Sequence, residues 1–119
     1  MPALKLVLFR DDDGSVPVLD FLEAQQTKVR LKTIARFELL EKMGSKLRRP
    51  HADYLDKGIY ELRYRVNTVQ YRFLYFFSGK DLVVVSHGFT KLDKVPKRDI
   101  ELAKSRKKRF DTNPYRYSS

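Results

Sequence analysis

Three β-type runs follow one another almost without interruption in the second half of the chain. Residues 59–66, 69–77 and 82–89 are rich in the aromatic and β-branched side chains that favour strands. Only residues 67–68 and 78–81 separate them. Connections this short join antiparallel neighbours, because a parallel pair needs a much longer crossover. The sequence therefore predicts an antiparallel sheet at the centre of the fold.

The first half of the chain supplies a strand and two helices. Residues 4–9 form a short apolar run that predicts a strand, and apolar residues at helical spacing predict helices over 17–26 and 31–43. Gly44 is a typical helix C-terminus, and the polar residues 45–57 are expected to be irregular. The apolar face of the second helix is expected to carry Leu31, Ile34, Phe37 and Leu40.

The end of the chain completes the predicted fold. Pro96 can open a last helix over residues 97–110, and the tail 111–119 is expected to be loosely held. The predicted order is β-α-α-β-β-β-α. It describes an α+β fold in which an N-terminal strand and a helical hairpin pack on an antiparallel sheet. A length of 119 residues fits one domain, 1–119.

The charge balance restricts the possible partners. Lys and Arg number 25 against 15 Asp and Glu, giving a formal charge of +10. Such an excess favours a polyanionic partner such as nucleic acid. The chain has no cysteine and only two histidines, so we expect no disulfide and no metal site. Without a signal peptide or a membrane span in the sequence, a soluble cytoplasmic protein is expected.

Alternation along the first two strands of the predicted sheet separates core residues from residues free for chemistry. Glu61, Arg63 and Arg65 share one face of the first strand, opposite the apolar face. In the simplest hairpin, Arg72 of the next strand converges with Arg63 and Arg65. Glu61 has two open interpretations, a salt bridge to these arginines or a direct functional role.

The end of the third strand carries a second group of polar residues. By alternation His87 shares a face with Val83 and Val85, so it is either a hydrogen-bonded core histidine or a functional one. Lys91 and Lys94 follow it in the connection to the last helix, where sites often occur. The other histidine, His51, is expected to be incidental.

The last helix is the most basic element of the chain. Between Pro96 and Arg109 there are seven cations and two acids. A run of cations is usually a solvated face, but in a chain of this charge phosphate contacts are the favoured interpretation. The seven cations are Lys97, Arg98, Lys104, Arg106, Lys107, Lys108 and Arg109.

Several ordered segments resemble one known family of proteins. The chain reads GIYELR at 58–63, YRFLYF at 71–76, HGFTK at 87–91 and KVP at 94–96. With PVLDF at 17–21, Arg49-Pro50, and Ile100 to Ala103 with Arg106, these resemble the phage-type HigB-like branch of the RelE/ParE toxins. The resemblance extends over nearly the whole chain, and it implies the same order of elements as the pattern of residues.

The resemblance implies a toxin of a type II toxin–antitoxin system that cuts messenger RNA in the ribosome, a metal-independent endoribonuclease. A helix-turn-helix antitoxin of the HigA type would be its partner, with mRNA and the ribosome. No membrane and no small-molecule cofactor would be involved. The 2′-hydroxyl would attack the adjacent phosphate. The resemblance implies a functional set of Arg63, Arg72 and Lys91, with Lys94 and Arg106 behind them. His87 joins the catalytic candidates as the other possible base, and the RNA-binding candidates are Arg65, Lys94, Lys97, Arg98 and Arg106.

Two alternatives stay open at this point. A ParE-like protein of the same fold would inhibit DNA gyrase without cutting RNA. A catalytically inactive relative would only bind an antitoxin, and this is suggested by Leu92, which stands where the family often has a second lysine. For an aromatic side chain that stacks on RNA, as in some relatives, the candidates are Phe110, Tyr115 and Tyr117.

Overall fold

A computed structural model describes residues 4–91 and 93–119 of the protein. Leu92, the departure from the family pattern, lies outside the described residues, as do residues 1–3. The described elements are β1 (Lys5–Leu8), α1 (Pro17–Glu23), α2 (Thr27–Met43), a short 3-10 helix (Gly44–Lys46), β2 (Ala52–Asp56), β3 (Ile59–Val66), β4 (Val69–Ser78), β5 (Leu82–Thr90), α3 (Lys97–Thr112) and α4 (Pro114–Tyr117). No helix of this described part is long and apolar enough to cross a bilayer.

The strands form one sheet in the order β1-β5-β4-β3-β2. The three central strands are antiparallel neighbours, as the short connections require, and they confirm the predicted α+β fold. β1 pairs with β5 in parallel, so the sheet is mixed at that edge. A parallel neighbour is possible there because the helical hairpin and the other strands all lie between β1 and β5 along the chain.

Two segments expected to be irregular are ordered elements. The segment Ala52–Asp56 is an edge strand, β2, joined to β3 by a tight turn at Lys57 and Gly58. Both turn residues have positive φ, 44° and 85°, which is the geometry of a two-residue hairpin with the sheet's own twist. Residues 45–57 were thus wrongly expected to lack structure, because the polar outer positions of an edge strand hide its alternation.

The tail is the second such segment. It forms α4 and returns to the sheet, where Tyr117 is buried and stacks on Phe9 with ring centroids 5.4 Å apart. Tyr117 also donates a hydrogen bond to Asp12, and Arg116 forms an ion pair with the same carboxylate. The expectation of a loose tail was wrong, because the acidic turn after β1 holds it in place.

Side chains on the two faces of the sheet form two cores. One lies under α1 and α2 and contains Val18, Leu62, Phe73 and Val85, among others. The other lies under α3 and contains Ile59, Leu74, Phe76, Val84 and Phe110.

The helix α2 faces the sheet differently from the expected apolar stripe. Val29, Thr33 and Leu40 are its buried residues, whereas Leu31 and Ile34 are exposed. Thr33 occupies a core position because its hydroxyl bonds to the carbonyl of Val29 and to the hydroxyl of Tyr64. A polar side chain satisfied in this way is invisible to a pattern based on hydrophobicity alone.

A β-bulge in β5 changes the face on which His87 lies. Leu74 pairs with His87 and Tyr75 with Val85, so Ser86 is the extra residue. His87 therefore points to the α3 side, away from the core that holds Val83 and Val85. Its Nε2 lies 3.1 Å from Asp99 of α3, and its Nδ1 lies 2.8 Å from the hydroxyl of Ser86. Simple alternation gave the wrong face because it cannot anticipate a bulge.

Gly88 is required by the ring packed against it. A Cβ at this position would lie 2.7 Å from Cδ2 of Phe73 and closer still to Cε2. We expect Gly88→Ala to lower the free energy of unfolding by about 1–3 kcal/mol, because the buried ring cannot move away without strain. Urea denaturation measures this, with Thr90→Ala at the exposed end of the same strand as the control. Equal midpoints for the two variants would contradict the steric argument.

His87 should make stability depend on pH. Burial lowers the pKa of His87 below its ordinary 6.5, and the hydrogen bond to Asp99 only partly opposes this. The unfolded chain therefore binds a proton that the folded chain does not, and stability falls as the pH drops below about 6.5. We expect His87→Gln to flatten this loss in denaturation curves between about pH 5.5 and 7. The Asp11 and Asp12 carboxylates, whose pKa values are lowered from 3.8, titrate below that window. An unchanged slope in the variant would exclude His87 as the cause.

Candidate nucleic-acid interface

An open cleft lies where the edge of the sheet is uncovered. β2 pairs only with Ile59 to Leu62, so the last residues of β3 have no partner strand on that side. The cleft has a volume of about 560 Å³ and is lined by α2, the segment before β2, and the hairpin of β3 and β4. The lining residues are Lys32, Arg36, Pro50, His51, Arg63, Tyr64, Arg65, Gln70 and Arg72.

The charge of this cleft is strongly unbalanced. Five of its lining residues carry a permanent positive charge, and none carries a carboxylate. Tyr64 adds no acid at neutral pH, because burial raises its pKa to about 12. A concave surface of one sign concentrates the field and attracts polyanions.

Arg63 and Arg72 form the structured floor of the cleft, and the buried carboxylate of Glu61 pairs with both. Arg63 and Arg72 are directly opposite each other in the β3–β4 register, as the simplest hairpin predicts. Glu61 accepts from both, at 2.7 Å from Arg72 and 3.4 Å from Arg63. Only 3% of the Glu61 side chain is exposed, so this carboxylate has the ion-pairing role, and the pair is buried rather than solvated.

The two arginines differ in exposure and in what they can do. The Arg72 side chain is 7% exposed, and it also donates to the main-chain carbonyls of Lys91 (2.9 Å) and Asp93 (2.8 Å). Arg72 thus fixes the backbone after β5. The Arg63 side chain is 28% exposed, and its Nε makes only a long bond to the carbonyl of Pro50. Arg63 is the member of the pair with donors available to a ligand.

Lys91 lies beside the cleft. A smaller depression of about 430 Å³ is lined by Gln70, Thr90, Lys91 and Asp93, among others. Gln70 lines both depressions, so the two adjoin at that residue. The anchoring of the Lys91 carbonyl by Arg72 sets this arrangement.

The remaining predicted cations are divided by the fold. Lys94, Lys97 and Arg98 are exposed and, within the described chain, make no ion pair, but they lie outside the cleft. Arg106 is 7% exposed, and its guanidinium bonds to Asp11 and to the carbonyl of Ser86. The structure thus gives Arg106 a role in joining α3 to the sheet.

Much of the positive charge of α3 is neutralised within the molecule. Lys104 pairs with Asp56 and Glu101, Lys107 with Asp111, and Arg109 with Asp11 and Asp12. The interpretation of this helix as a phosphate-binding surface therefore applies only to its first turn and to Lys108. The sequence could not show this, because the neutralising acids of the N-terminal turn and of β2 are distant along the chain.

His87 and the three aromatic candidates are not brought to the cleft. Both nitrogens of His87 have partners on the α3 side of the sheet. Phe110 and Tyr117 are core residues, and Tyr115, which is 95% exposed, belongs to α4 beside β1 at the opposite edge of the sheet.

Sequence reasoning missed three lining residues with basic side chains. His51, expected to be incidental, enters the cleft because its carbonyl accepts the backbone N–H of Arg63. Lys32 and Arg36 are one helical turn apart on α2, and this spacing was the available signal. Among the described residues no cluster of three acidic or imidazole side chains could hold a metal ion.

Comparison with known proteins identifies a family for this chain. A family model described as Phage derived protein Gp49-like (DUF891) matches residues 20–108, well over half of the chain and every lining residue of the cleft. A search of curated proteins finds no match. The chain therefore belongs to the Gp49-like family of phage-derived proteins, a RelE-like family of toxins from type II toxin–antitoxin modules, in which the partner is an antitoxin.

Proposed function

We propose that this toxin is a ribosome-dependent messenger RNA endonuclease of the HigB-like branch and that its activity inhibits translation. The observation that carries the proposal is the open cleft lined by five cations and no carboxylate. An RNA phosphate gains negative charge as it is attacked, and fixed cations stabilise that charge. A helix-turn-helix antitoxin would hold the toxin inactive.

The reaction needs no group beyond the RNA and the protein. The 2′-oxygen forms a bond to the adjacent phosphorus, and the bond from phosphorus to the 5′-oxygen of the next nucleotide breaks. The products are a 2′,3′-cyclic phosphate and a 5′-hydroxyl. Arg63 would bind the non-bridging oxygens, since a guanidinium remains charged and donates two parallel hydrogen bonds. Arg72, held by Glu61 and two carbonyls, would position Lys91 and Arg63 around that phosphate.

Two protons must move in this reaction, one from the 2′-hydroxyl and one to the leaving 5′-oxygen. His51 lines the cleft, and Lys91 is an exposed residue that lines the adjoining depression. We assign proton transfer to these two groups. His87 is a poor candidate because Ser86 and Asp99 already occupy both of its nitrogens.

Cations outside the cleft suit the ribosome. Lys94, Lys97 and Arg98 are exposed and lie outside the cleft. Ribosomal RNA presents a dense array of phosphates, and contacts to them would hold the toxin over the messenger without sequence preference.

Removal of the contacting groups should abolish cleavage. We expect Arg63→Ala and Lys91→Ala to lower the rate of messenger cleavage by about 100- to 1,000-fold, as is typical when a donor to a developing oxyanion is lost. Primer extension on translated messenger in a ribosome-containing reaction measures this. Lys80→Ala, which changes an exposed cation between β4 and β5 outside the cleft, is the control and should cut normally. Intact messenger with inhibited gyrase supercoiling would identify a ParE-like function instead.

Arg72 should differ from Arg63 in its effect on stability. Arg72→Ala leaves the buried carboxylate of Glu61 without its main partner, so we expect a loss of about 3–5 kcal/mol in unfolding free energy. Arg63→Ala removes a partly exposed side chain and should cost less than about 1 kcal/mol. Urea denaturation of both variants tests whether Arg72 positions its neighbours while Arg63 is free to contact a ligand. Equal losses would contradict it.

A further inference from the structure

Two cations of α2 enter the cleft, and both lack a balancing anion. Lys32 and Arg36 are four residues apart, so they lie on the same side of the helix. The Nζ of Lys32 donates to the carbonyl of Arg65 at 2.8 Å. The Nε of Arg36 is buried and has no hydrogen-bond partner, and neither side chain forms an ion pair within the described chain.

This arrangement is costly unless something else binds there. A neutral carbonyl does not balance the charge of an ammonium. A buried N–H without an acceptor gives up its hydrogen bond to water and gains no other, which costs free energy. The nearest carboxylates along α2 do not help, since Glu38 and Glu41 line a different depression and Glu41 accepts the backbone N–H of Leu6. The exposed guanidinium of Arg65 adds a third charge, bonded only at 3.5 Å to Gln70.

We propose that Lys32 and Arg36, together with Arg65, bind a second phosphodiester of the RNA strand, next to the phosphate that Arg63 binds. This inference rests on the proposed function for the identity of the strand. Single-stranded RNA suits the site better than an acidic protein segment. The lining is polar and cationic, and Pro50 and a buried Tyr64 are its only large non-polar side chains, whereas protein partners require an apolar interface centre.

Binding can be measured apart from cleavage. A fluorescein-labelled 2′-O-methyl RNA decamer lacks the attacking hydroxyl, so its anisotropy reports binding alone. We expect the double variant Lys32→Gln with Arg36→Gln to bind about tenfold more weakly and to reduce the slope of log K against log salt by about 0.7, the value for one phosphate of a single strand.

The matched control removes the same charge from the same helix. Lys28→Gln with Lys42→Gln alters two exposed residues of α2 outside the cleft and should leave both affinity and salt slope unchanged. Thermal unfolding of each protein identifies any loss of fold. The charge-conserving pair Lys32→Arg with Arg36→Lys should restore binding, which a purely structural role for these side chains would not predict.

The outcomes separate this inference from the proposed function. Wild-type affinity and slope in the Lys32→Gln, Arg36→Gln variant would overturn the second phosphate site, whatever happens to messenger cleavage. Weakened binding in that variant, with no cleavage by the wild-type protein on ribosomes, would support the site and overturn the endonuclease. Displacement of the decamer by polyglutamate at equal charge concentration would assign the site to an acidic protein segment instead.

Discussion

A carboxylate and a guanidinium are buried together between β3 and β4, and the candidate site is organised around them. Glu61 and Arg72 lie 2.7 Å apart with 3% and 7% of their side chains exposed. A buried pair of this kind is tolerated only when its other hydrogen-bonding groups are satisfied. Here they are satisfied by Arg63 and by the carbonyls of Lys91 and Asp93. The same contacts that stabilise the pair therefore place the backbone of Lys91 beside the cleft and hold one side of Arg63.

The distribution of charge follows from how the chain closes on itself. Asp11 and Asp12, in the turn after β1, bind Arg106, Arg109 and Arg116 near the C-terminus. These contacts fasten the tail, and they neutralise the cations that are most conspicuous in the sequence. At the other edge of the sheet Glu61 balances only Arg72 and, at longer range, Arg63, so the cleft with its five cations keeps an excess of positive charge. Because the ion pairs of α3 neutralise much of its positive charge, a large share of the net charge of +10 remains at the β3 edge of the sheet.

Much of the fold could be predicted because its signals are local. The short connections fixed the antiparallel order of the central strands, and the hairpin register brought Arg63 opposite Arg72 as expected. The errors arose where a distant contact overrides a local pattern. The bulge at Ser86 moved His87 to the other face, and a hydrogen-bonded Thr33 replaced Ile34 at the interface with the sheet. Lys32 and Arg36 come from α2, far from β3 along the chain, so only packing could bring them to Arg63. His51 reaches Arg63 because the unexpected strand β2 pairs with β3.

The sequence by itself determined the class of protein: a small basic α+β chain with an antiparallel sheet and a pair of arginines converging on one of its faces. Strand alternation and short turns involve residues that are close together along the chain, so they can be recognised in the sequence. Only the tertiary structure decided which cations are available to a ligand. Whether a cation is available depends on whether a carboxylate lies within a few ångströms of it. The ion pairs that occupy the other cations join residues that are far apart along the chain, such as Asp12 and Arg116.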